Sequence, residues 1–285
     1  MPIRTDLTLE LREMFAEEIV GVESLAHDND GITVTHVKIT TDEGAEKIGK
    51  PKGNYVTVEI DRTIFENDDV FDRGAKAVGE ELKKLLSPMD LSSVLVVGLG
   101  NRYITPDSIG PKTVSKITVT RHITKEGGAG YDFSIRPVSA IAPGVLGITG
   151  IETGEIVQGV KEKSKPSLII AVDALAARNI GRLGTTVQLS DTGICPGSGV
   201  GNNRKELTEK TMGIPVIAIG VPMVVDAVTL VSDMLEAMSE NSREKLSENI
   251  SRQNQNMIVT PNDVDSISEK ISDIISEGIN MALLS

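Results

Sequence analysis

Aromatic residues make up only 2% of this chain of 285 residues, and tryptophan is absent. Proteins that hold single-stranded nucleic acid stack the bases on aromatic side chains, and very few such side chains are available here. The formal net charge of −12 also disfavours contact with a phosphate backbone. We therefore expect an aliphatic core and no direct nucleic-acid partner.

Cysteine is nearly absent as well, since Cys195 is the one cysteine in the sequence. An intramolecular disulfide and a cysteine-only zinc site are therefore excluded. No apolar run approaches the roughly 18 residues of a membrane span. The N-terminus carries Asp6 and Glu10 and lacks the apolar segment of a secretory signal. These absences predict a cytoplasmic protein without a membrane partner.

The motifs that bind nucleotide phosphates are missing too. Tyr103 stands where a dinucleotide-binding loop would have its third glycine. The stretch Gly110–Thr113 has a proline after its glycine and lacks the upstream glycine of a P-loop. The sequence therefore predicts no cofactor.

The most informative stretch that the sequence does contain runs from Val94 to Pro111. Val94–Val97 predicts a short strand buried on both faces, and the glycines after it favour a tight exit. The loop that follows presents Asn101, Thr105 and Asp107. Ligands of open α/β sheets bind beyond the carboxyl ends of the strands, so these three residues are site candidates.

Two further buried strands, Leu168–Val172 and Val216–Gly220, are separated by helical segments, which indicates a mostly parallel sheet. Two half-buried strands, Gly31–Ile39 and Asn54–Ile60, precede them. The predicted fold is a single α/β domain with a mostly parallel central sheet, helices on both faces and an added N-terminal β element. Helices are predicted at about Thr8–Val20, Asp69–Leu86, Thr153–Lys163, Val224–Met238 and from Thr260 onward, a β-like segment at Val119–Ile123, and a mobile loop at Asn241–Asn256.

Asp107 and Asp173 each follow a strongly apolar strand. If those strands are neighbours, both carboxylates face the same end of the sheet. Two close carboxylates cannot both ionise easily, so the pair can share a proton, activate a water and protonate a leaving amine. The same pair can bind a metal ion, or each aspartate can simply cap a helix, and the sequence leaves these alternatives open. His36 is interpreted as a strand-surface residue and not as a metal ligand.

The glycine-rich segment 191–205 is a second source of polar groups. Ser198 is not in a nucleophile elbow, because proline and valine occupy the flanking glycine positions, and a Ser/His/Asp triad with His122 has no local signature. Cys195 is more often a small packing residue than a nucleophile. Glu152 either starts a helix or belongs to the site. Besides the two aspartates, the site candidates are Asn101, Thr105, His122, Glu152, Ser198, Asn202, Arg204 and Lys205.

Taken together, these residues and their neighbours resemble the germination protease family of spore-forming bacteria. The matching stretches are Val96–Asn101, Thr105–Asp107, Gly110–Lys112, Arg121–His122, Arg136–Ile141, Gly150–Thr153, Asp173–Arg178, Pro196–Asn202 and Val225–Val228. The resemblance implies an atypical aspartic-type endopeptidase that degrades small acid-soluble spore proteins during germination. It also implies a homotetramer located in the cytoplasm of the forespore or spore core.

Carried over residue by residue, the resemblance places the catalytic acids at Asp107 and Asp173. The family is similar in fold to hydrogenase maturation endopeptidases, in which acids at comparable strand ends bind nickel. A metal-dependent maturation peptidase is therefore the alternative, although no histidine follows Asp173 to complete a nickel-type ligand set.

The resemblance also implies cleavage between an acidic and an apolar residue, made by an enzyme that is synthesised as a zymogen. The Asp6–Leu7 bond fits that pattern, so residues 1–6 are expected to be a propeptide and residues 7–285 the peptidase domain. The alternative is that Asp6 caps the first helix. The candidates for holding the acidic side chain of the substrate are Arg136, Arg178, Arg204 and Lys205.

Overall fold

The computed structural model describes residues 4–65, 67–126, 135–197, 205–236 and 257–284, in which helices pack around a β-sheet. The strands are β1 (Val22–Asn29), β2 (Ile32–Ile39), β3 (Gly53–Ile60), β4 (Val94–Gly98), β5 (Val138–Ile141), β6 (Leu168–Ala177), β7 (Thr186–Ser190), β8 (Val216–Asp226) and β9 (Ile258–Val259). The helices are α1 (Thr8–Glu13), α2 (Asp42–Ile48), α3 (Asp68–Leu86), α4 (Ile109–Val114), α5 (Arg121–Glu126), α6 (Leu146–Thr149), α7 (Thr153–Ser164), α8 (Glu209–Met212), α9 (Ala227–Glu236) and α10 (Val264–Leu284). Short 3₁₀ turns lie at Arg62–Phe65, Thr105–Asp107 and Ile180–Arg182.

The strands lie in the order β1-β2-β3-β7-β8-β6-β4-β5, and β9 pairs with β8. The central strands β5, β4, β6 and β8 are parallel. From β8 outward, β7, β3, β2 and β1 each run antiparallel to the neighbouring strand. The predicted α/β fold with a parallel centre and an N-terminal β element is confirmed. The order also makes β4 and β6 direct neighbours.

The parallel strands are buried on both faces, which explains their unbroken apolar sequences. Even-numbered residues of β4 contact a core that includes α3 and α10, and odd-numbered residues contact a second core that includes residues of α7 and α8. On β6, Ile169 and Ala171 belong to the second core. Asp173 is the next residue on that face, because strand side chains alternate between the two faces.

Two predicted boundaries along β6 and β8 are wrong. The sequence predicted a helix from Val224, but β8 runs through Asp226 because it pairs with β6 on one side and with β9 on the other. The same pairing carries β6 beyond Asp173 to Ala177. Helix α9 begins only at Ala227.

The predicted β-like segment at Val119–Ile123 is also wrong, because a helix, α5, begins at Arg121. Thr120 accounts for the change. Its backbone amide donates to the Val138 carbonyl and its hydroxyl donates to the carbonyl of residue 136, so the extended chain ends there. β1 was not predicted, because it is a mostly exposed strand with no apolar alternation.

Helix α1 ends at Glu13, although its apolar spacing predicted that it continues to Val20. The Arg12 guanidinium donates to the Phe15 carbonyl at 2.7 Å, and this bond stabilises the bend just beyond the helix. The mobile loop predicted at Asn241–Asn256 lies outside the described residues. Among the helices that the structure describes, none is both long enough and apolar enough to cross a bilayer.

Candidate active site

A cavity of about 260 Å³ opens where the central parallel strands end, and three aspartates line it. Asp107 follows β4, Asp173 lies in β6, and Asp6 belongs to the segment that precedes α1. Much of the remaining wall is apolar, with Leu99 and Leu175 among its residues. The cavity therefore combines carboxylates with an apolar surface that suits an aliphatic side chain of a peptide.

Asp107 is held by the tight exit from β4. The Asn101 amide donates to Asp107 Oδ2 at 2.8 Å. Gly100 has a φ of +103°, and a Cβ there would lie 2.2 Å from the Asp107 carbonyl oxygen and 2.8 Å from Oδ1. Only glycine allows the backbone at position 100 to lie this close to Asp107, because any other residue would force the aspartate to move.

A second pair of glycines fixes the helix after Asp107 against the strand. A Cβ at Gly98 would lie 2.2 Å from the Gly110 carbonyl oxygen, and a Cβ at Gly110 would lie 2.2 Å from the Leu99 carbonyl oxygen. The start of α4 therefore lies in backbone contact with the exit of β4. This contact holds the 105–107 turn at the end of the sheet.

Asp173 lies within β6, where the sequence predicted that the strand had already ended. It pairs with Gly220 of β8, and it is only 4% exposed. The Ala174 amide donates to its Oδ1 at 3.0 Å. A buried carboxylate inside a strand has little freedom to reorient, so its direction toward the cavity is set by the sheet.

The third aspartate, Asp6, is attached to the far end of β6. Its amide donates to the Ala176 carbonyl at 2.9 Å, and its Oδ2 accepts from the Ala176 amide at 2.9 Å. The next residue, Leu7, is fully buried against Leu175 and Ala177. The sequence predicted a cleavage site at the Asp6–Leu7 bond, but it gave no sign that Asp6 is hydrogen-bonded to β6.

Glu10 and Arg182 fix this N-terminal segment, and we call them, with Glu13 and Glu59, the N-terminal anchor. Glu10 is 2% exposed and accepts hydrogen bonds from the amides of Arg178 and Asn179 at 2.6 and 2.9 Å. The Arg182 guanidinium bonds to Glu13 at 2.7 Å and to Glu59 at 2.8 Å, and lies 3.4 Å from Glu10. Burial alone would lower the pKa of Arg182, but the carboxylates of Glu13 and Glu59 raise it, so the guanidinium stays charged.

The germination protease family matches residues 5–240 of this chain. The chain belongs to this family. The germination protease of Caldanaerobacter subterraneus subsp. tengcongensis is 45% identical over 304 residues, which cover 99% of this chain and 94% of the relative. That of Clostridium acetobutylicum is 44% identical, with 99% and 95% covered. That of Bacillus subtilis is 40% identical, with 99% and 93% covered.

Among solved structures, a nickel–iron hydrogenase maturation protease from Thermococcus kodakarensis is similar to 70% of this chain and 98% of its own, with a TM-score of 0.38 and 14% identity. The matched family and the three relatives are all named germination protease. They give no support to the metal-dependent maturation peptidase that the sequence left as the alternative. Asp6, Asp107 and Asp173 all lie within the stretch that the family matches.

The other predicted site candidates are more scattered. Asn101 lies in the loop that holds Asp107, whereas the Thr105 hydroxyl donates to Asp265 at 2.7 Å on α10. Glu152 precedes Thr153, which does line the cavity. His122 is exposed on α5 and is not part of the cavity wall.

Of the candidates in the glycine-rich segment, Ser198, Asn202 and Arg204 lie outside the described residues. Lys205 is exposed, and its aliphatic stem lies beside Gly154 at the start of α7. Arg136 donates to the Leu283 carbonyl at the end of α10, a position away from the cavity wall. Arg178 lies just past the end of β6, where its amide donates to Glu10.

Cys195 lies one residue before Pro196, which lines the cavity. Burial raises the pKa of its thiol, and the nearby carboxylates of Glu206 and Asp6 raise it further. Because the thiolate is the nucleophilic form, a thiol in this environment is poorly suited to attack a peptide bond.

Sequence reasoning missed Asp226 as a structural acid of the N-terminal segment. Asp226 is 4% exposed, and the Arg4 guanidinium donates to its Oδ2 at 3.3 Å. The Thr229 amide donates to its Oδ1 at 3.0 Å, as at the start of a helix. The sequence does contain a signal for this cap, namely an aspartate three residues before a threonine. It was not recognised, because the helix was predicted to begin at Val224, which places Asp226 inside the helix and not before it.

Proposed function

We propose that this member of the germination protease family is an endopeptidase of the aspartic type. In this proposal, Asp107 and Asp173 act together to hydrolyse a peptide bond of the substrate. One observation supports the proposal above the others: the two aspartates come from neighbouring parallel strands and line the same cavity. The apolar part of the wall, which includes Leu175, offers a surface for the aliphatic residue of the substrate.

In the proposed reaction, one aspartate is ionised and the other is protonated. The carboxylate takes a proton from water while the water oxygen bonds to the carbonyl carbon of the substrate. The protonated aspartate then gives its proton to the peptide nitrogen as the C–N bond breaks. One water is consumed, and the products are a new carboxyl terminus and a new amino terminus. At the end of the reaction, the aspartate that was ionised is protonated and the other is ionised. Proton transfer to and from solvent restores the starting state.

The proposed substrates are small acid-soluble spore proteins, cut after an acidic residue and before an apolar one, by a homotetramer in the spore core. The test is incubation of the purified chain with such a protein, followed by mass analysis of the fragments. Asp107→Asn and Asp173→Asn should each lower the cleavage rate by about 10²–10⁴-fold, because a carboxamide cannot move a proton in the same way. Sedimentation velocity of the same sample measures the assembly state.

The matched control is Glu155→Gln, which removes an exposed carboxylate of α7 that is not in the cavity wall. This variant should cut at the wild-type rate. Wild-type cleavage by both aspartate variants, with circular dichroism spectra that show an intact fold, would exclude the pair as the catalytic centre.

We also propose that the chain processes itself between Asp6 and Leu7 and so releases residues 1–6. The presence of Asp6 in the same cavity as Asp107 and Asp173 supports this step. Leu7 is fully buried, so the step requires the N-terminal segment to leave its position on β6 first. Mild acidification should favour it if the pair must share a proton.

N-terminal sequencing after incubation at mildly acidic pH tests this step, with Asp173→Asn as the control. A new terminus at Leu7 in the wild type alone supports self-processing at this bond. Trimming of both proteins at the same bond would show that another protease made the cut.

A further inference from the structure

Two of the three histidines of the chain lie together at the antiparallel edge of the sheet. His27 is on the outer strand β1 and His36 is on β2. Their rings stack with centroids 5.8 Å apart and planes 19° apart. His36 shares its face of β2 with Ile32 and Val34, which belong to the core that packs against α3. Both imidazoles therefore lie on the side of the sheet that faces this helix.

Glu81 of α3 completes a group of three residues that we call the edge cluster: His27, His36 and Glu81. One nitrogen or oxygen atom from each residue lies within 4.8 Å of those of the other two. His36 Nε2 and Glu81 Oε2 are 3.4 Å apart. Ligand atoms of a tetrahedral zinc ion with bonds of about 2.0–2.1 Å are about 3.3–3.4 Å from one another. Two of the three groups are thus already at the spacing that such an ion requires.

The state of Glu81 is an independent sign that a cation belongs here. The residue is only 3% exposed, and its Oε1 accepts from Lys84 Nζ at 2.6 Å. Its Oε2 is fully buried, and no group in the described ranges forms a hydrogen bond with it. A buried acceptor that is left unsatisfied destabilises the fold, and a charged acceptor does so more strongly than a neutral one. An ion bound to this oxygen would remove that destabilisation.

The remaining groups around the cluster are compatible with an ion. The Lys84 side chain is 62% exposed, so its ammonium can turn into solvent while Glu81 keeps its position. His27 is exposed on the edge strand, so its ring can rotate toward the other two ligands. Two imidazoles and one carboxylate form a donor set that zinc prefers, and water can complete the four-coordinate shell.

We propose that His27, His36 and Glu81 bind one divalent transition-metal ion, with zinc as the best match. The site lies on β1, β2 and α3, and strands β3, β7 and β8 separate β2 from Asp173 on β6. Four strand spacings amount to roughly 19 Å. The bound ion joins the β1–β2 hairpin to α3 and takes no part in peptide hydrolysis.

The test uses the full chain, freed of metal by a chelator and then titrated with zinc chloride in a calorimeter. We expect one zinc ion per chain and a higher melting temperature once zinc is bound. His27→Ala and Glu81→Gln should each weaken zinc binding by about 100-fold or more, since even residues that only orient a ligand change affinity by about 10–100-fold. Cobalt in place of zinc should give the visible absorption of a four-coordinate ion in the wild type.

The matched control is His122→Ala, because His122 is the third histidine and is exposed on α5, outside the cluster. It should bind zinc as the wild type does. The proposal is wrong if the wild type binds no zinc, if His27→Ala and Glu81→Gln bind it normally, or if His122→Ala loses it equally. Should Glu81→Gln fail to fold, His27→Ala still decides the question, because its side chain lies in solvent.

Discussion

Asp173 in the pocket and Glu10 in the N-terminal anchor are almost equally buried, at 4% and 2% exposure, yet their surroundings differ. Glu10 accepts hydrogen bonds from two backbone amides and from the Thr5 hydroxyl, and the Arg182 guanidinium lies beside it. Asp173 lines a cavity large enough to admit part of a peptide. Burial alone therefore does not separate a structural carboxylate from the proposed catalytic one, and the two groups differ instead in their access to the cavity.

The same contrast applies to how each group is held in place. Glu10 is fixed by hydrogen bonds to residues beyond β6 and by a charged partner, so it stabilises the fold by joining α1 to the sheet. Asp107 is fixed by the shape of a glycine turn, which positions it without covering the cavity. Substitutions in the anchor should therefore change stability, and substitutions in the turn should change activity more than stability.

The largest change in stability is expected for Arg182→Met in the anchor. The variant leaves the buried Glu10 without its charged partner, and removal of one partner from a buried ion pair costs about 3–5 kcal/mol. Because Glu10 keeps its two amide donors, we expect a loss of about 3 kcal/mol in the free energy of unfolding, measured by urea denaturation. Peptide cleavage per folded molecule should remain.

Arg73→Met is the matched control for this prediction. Arg73 has a side chain that is 40% exposed and lies 3.9 Å from the exposed Asp30, so its loss should cost less than about 1 kcal/mol. If the two variants lose the same small amount, the anchor does not hold the N-terminal segment.

A smaller effect on stability, but a clear one on activity, is expected for Gly100→Ala. The added Cβ would lie 2.2 Å from the Asp107 carbonyl oxygen at a φ of +103°, so the turn and its carboxylate must move. Strain of this kind costs about 1–3 kcal/mol. The cleavage rate should fall by more than the loss of folded protein explains, which steady-state kinetics beside urea denaturation will measure.

Gly147→Ala provides the comparison, since a Cβ at that position has no described heavy atom within 4 Å. It should leave both the free energy of unfolding and the cleavage rate near their wild-type values. Equal activity in the two alanine variants would mean that the position of Asp107 does not matter for hydrolysis.

The central part of this fold could be predicted from the sequence, because a strand that is buried on both faces is recognisable as a continuous apolar run. Val94–Val97 and Leu168–Val172 are continuous apolar runs, and a strand covered on both sides needs such a run. No comparable sequence pattern shows where these strands end. β6 and β8 continue through Asp173 and toward Asp226 because they pair with each other, and pairing is not visible in either segment alone.

For the site, the sequence predicted that Asp107 and Asp173 share one end of the sheet if the two strands before them are neighbours, and β4 and β6 are neighbours. It could not predict that Asp6 joins them, because that contact depends on hydrogen bonds between Asp6 and Ala176, which are 170 positions apart. The edge cluster was missed for a related reason. His36 reads as a surface residue of a half-buried strand, and only the packing of α3 brings Glu81 to it.

The smallest effect is expected at Cys195, which lies near the pocket without belonging to its proposed chemistry. Burial raises the pKa of the thiol, so at neutral pH less thiolate is present than in a free cysteine. Iodoacetamide should therefore alkylate the native protein more slowly than the same protein in urea, and the gap should narrow as the pH rises toward the raised pKa. Cys195→Ser should cut within about 2-fold of the wild-type rate, because a thiol that takes no part in hydrolysis can be replaced by a hydroxyl of similar size. A loss of cleavage as large as that of Asp173→Asn would assign the chemistry to the thiol and not to the aspartates.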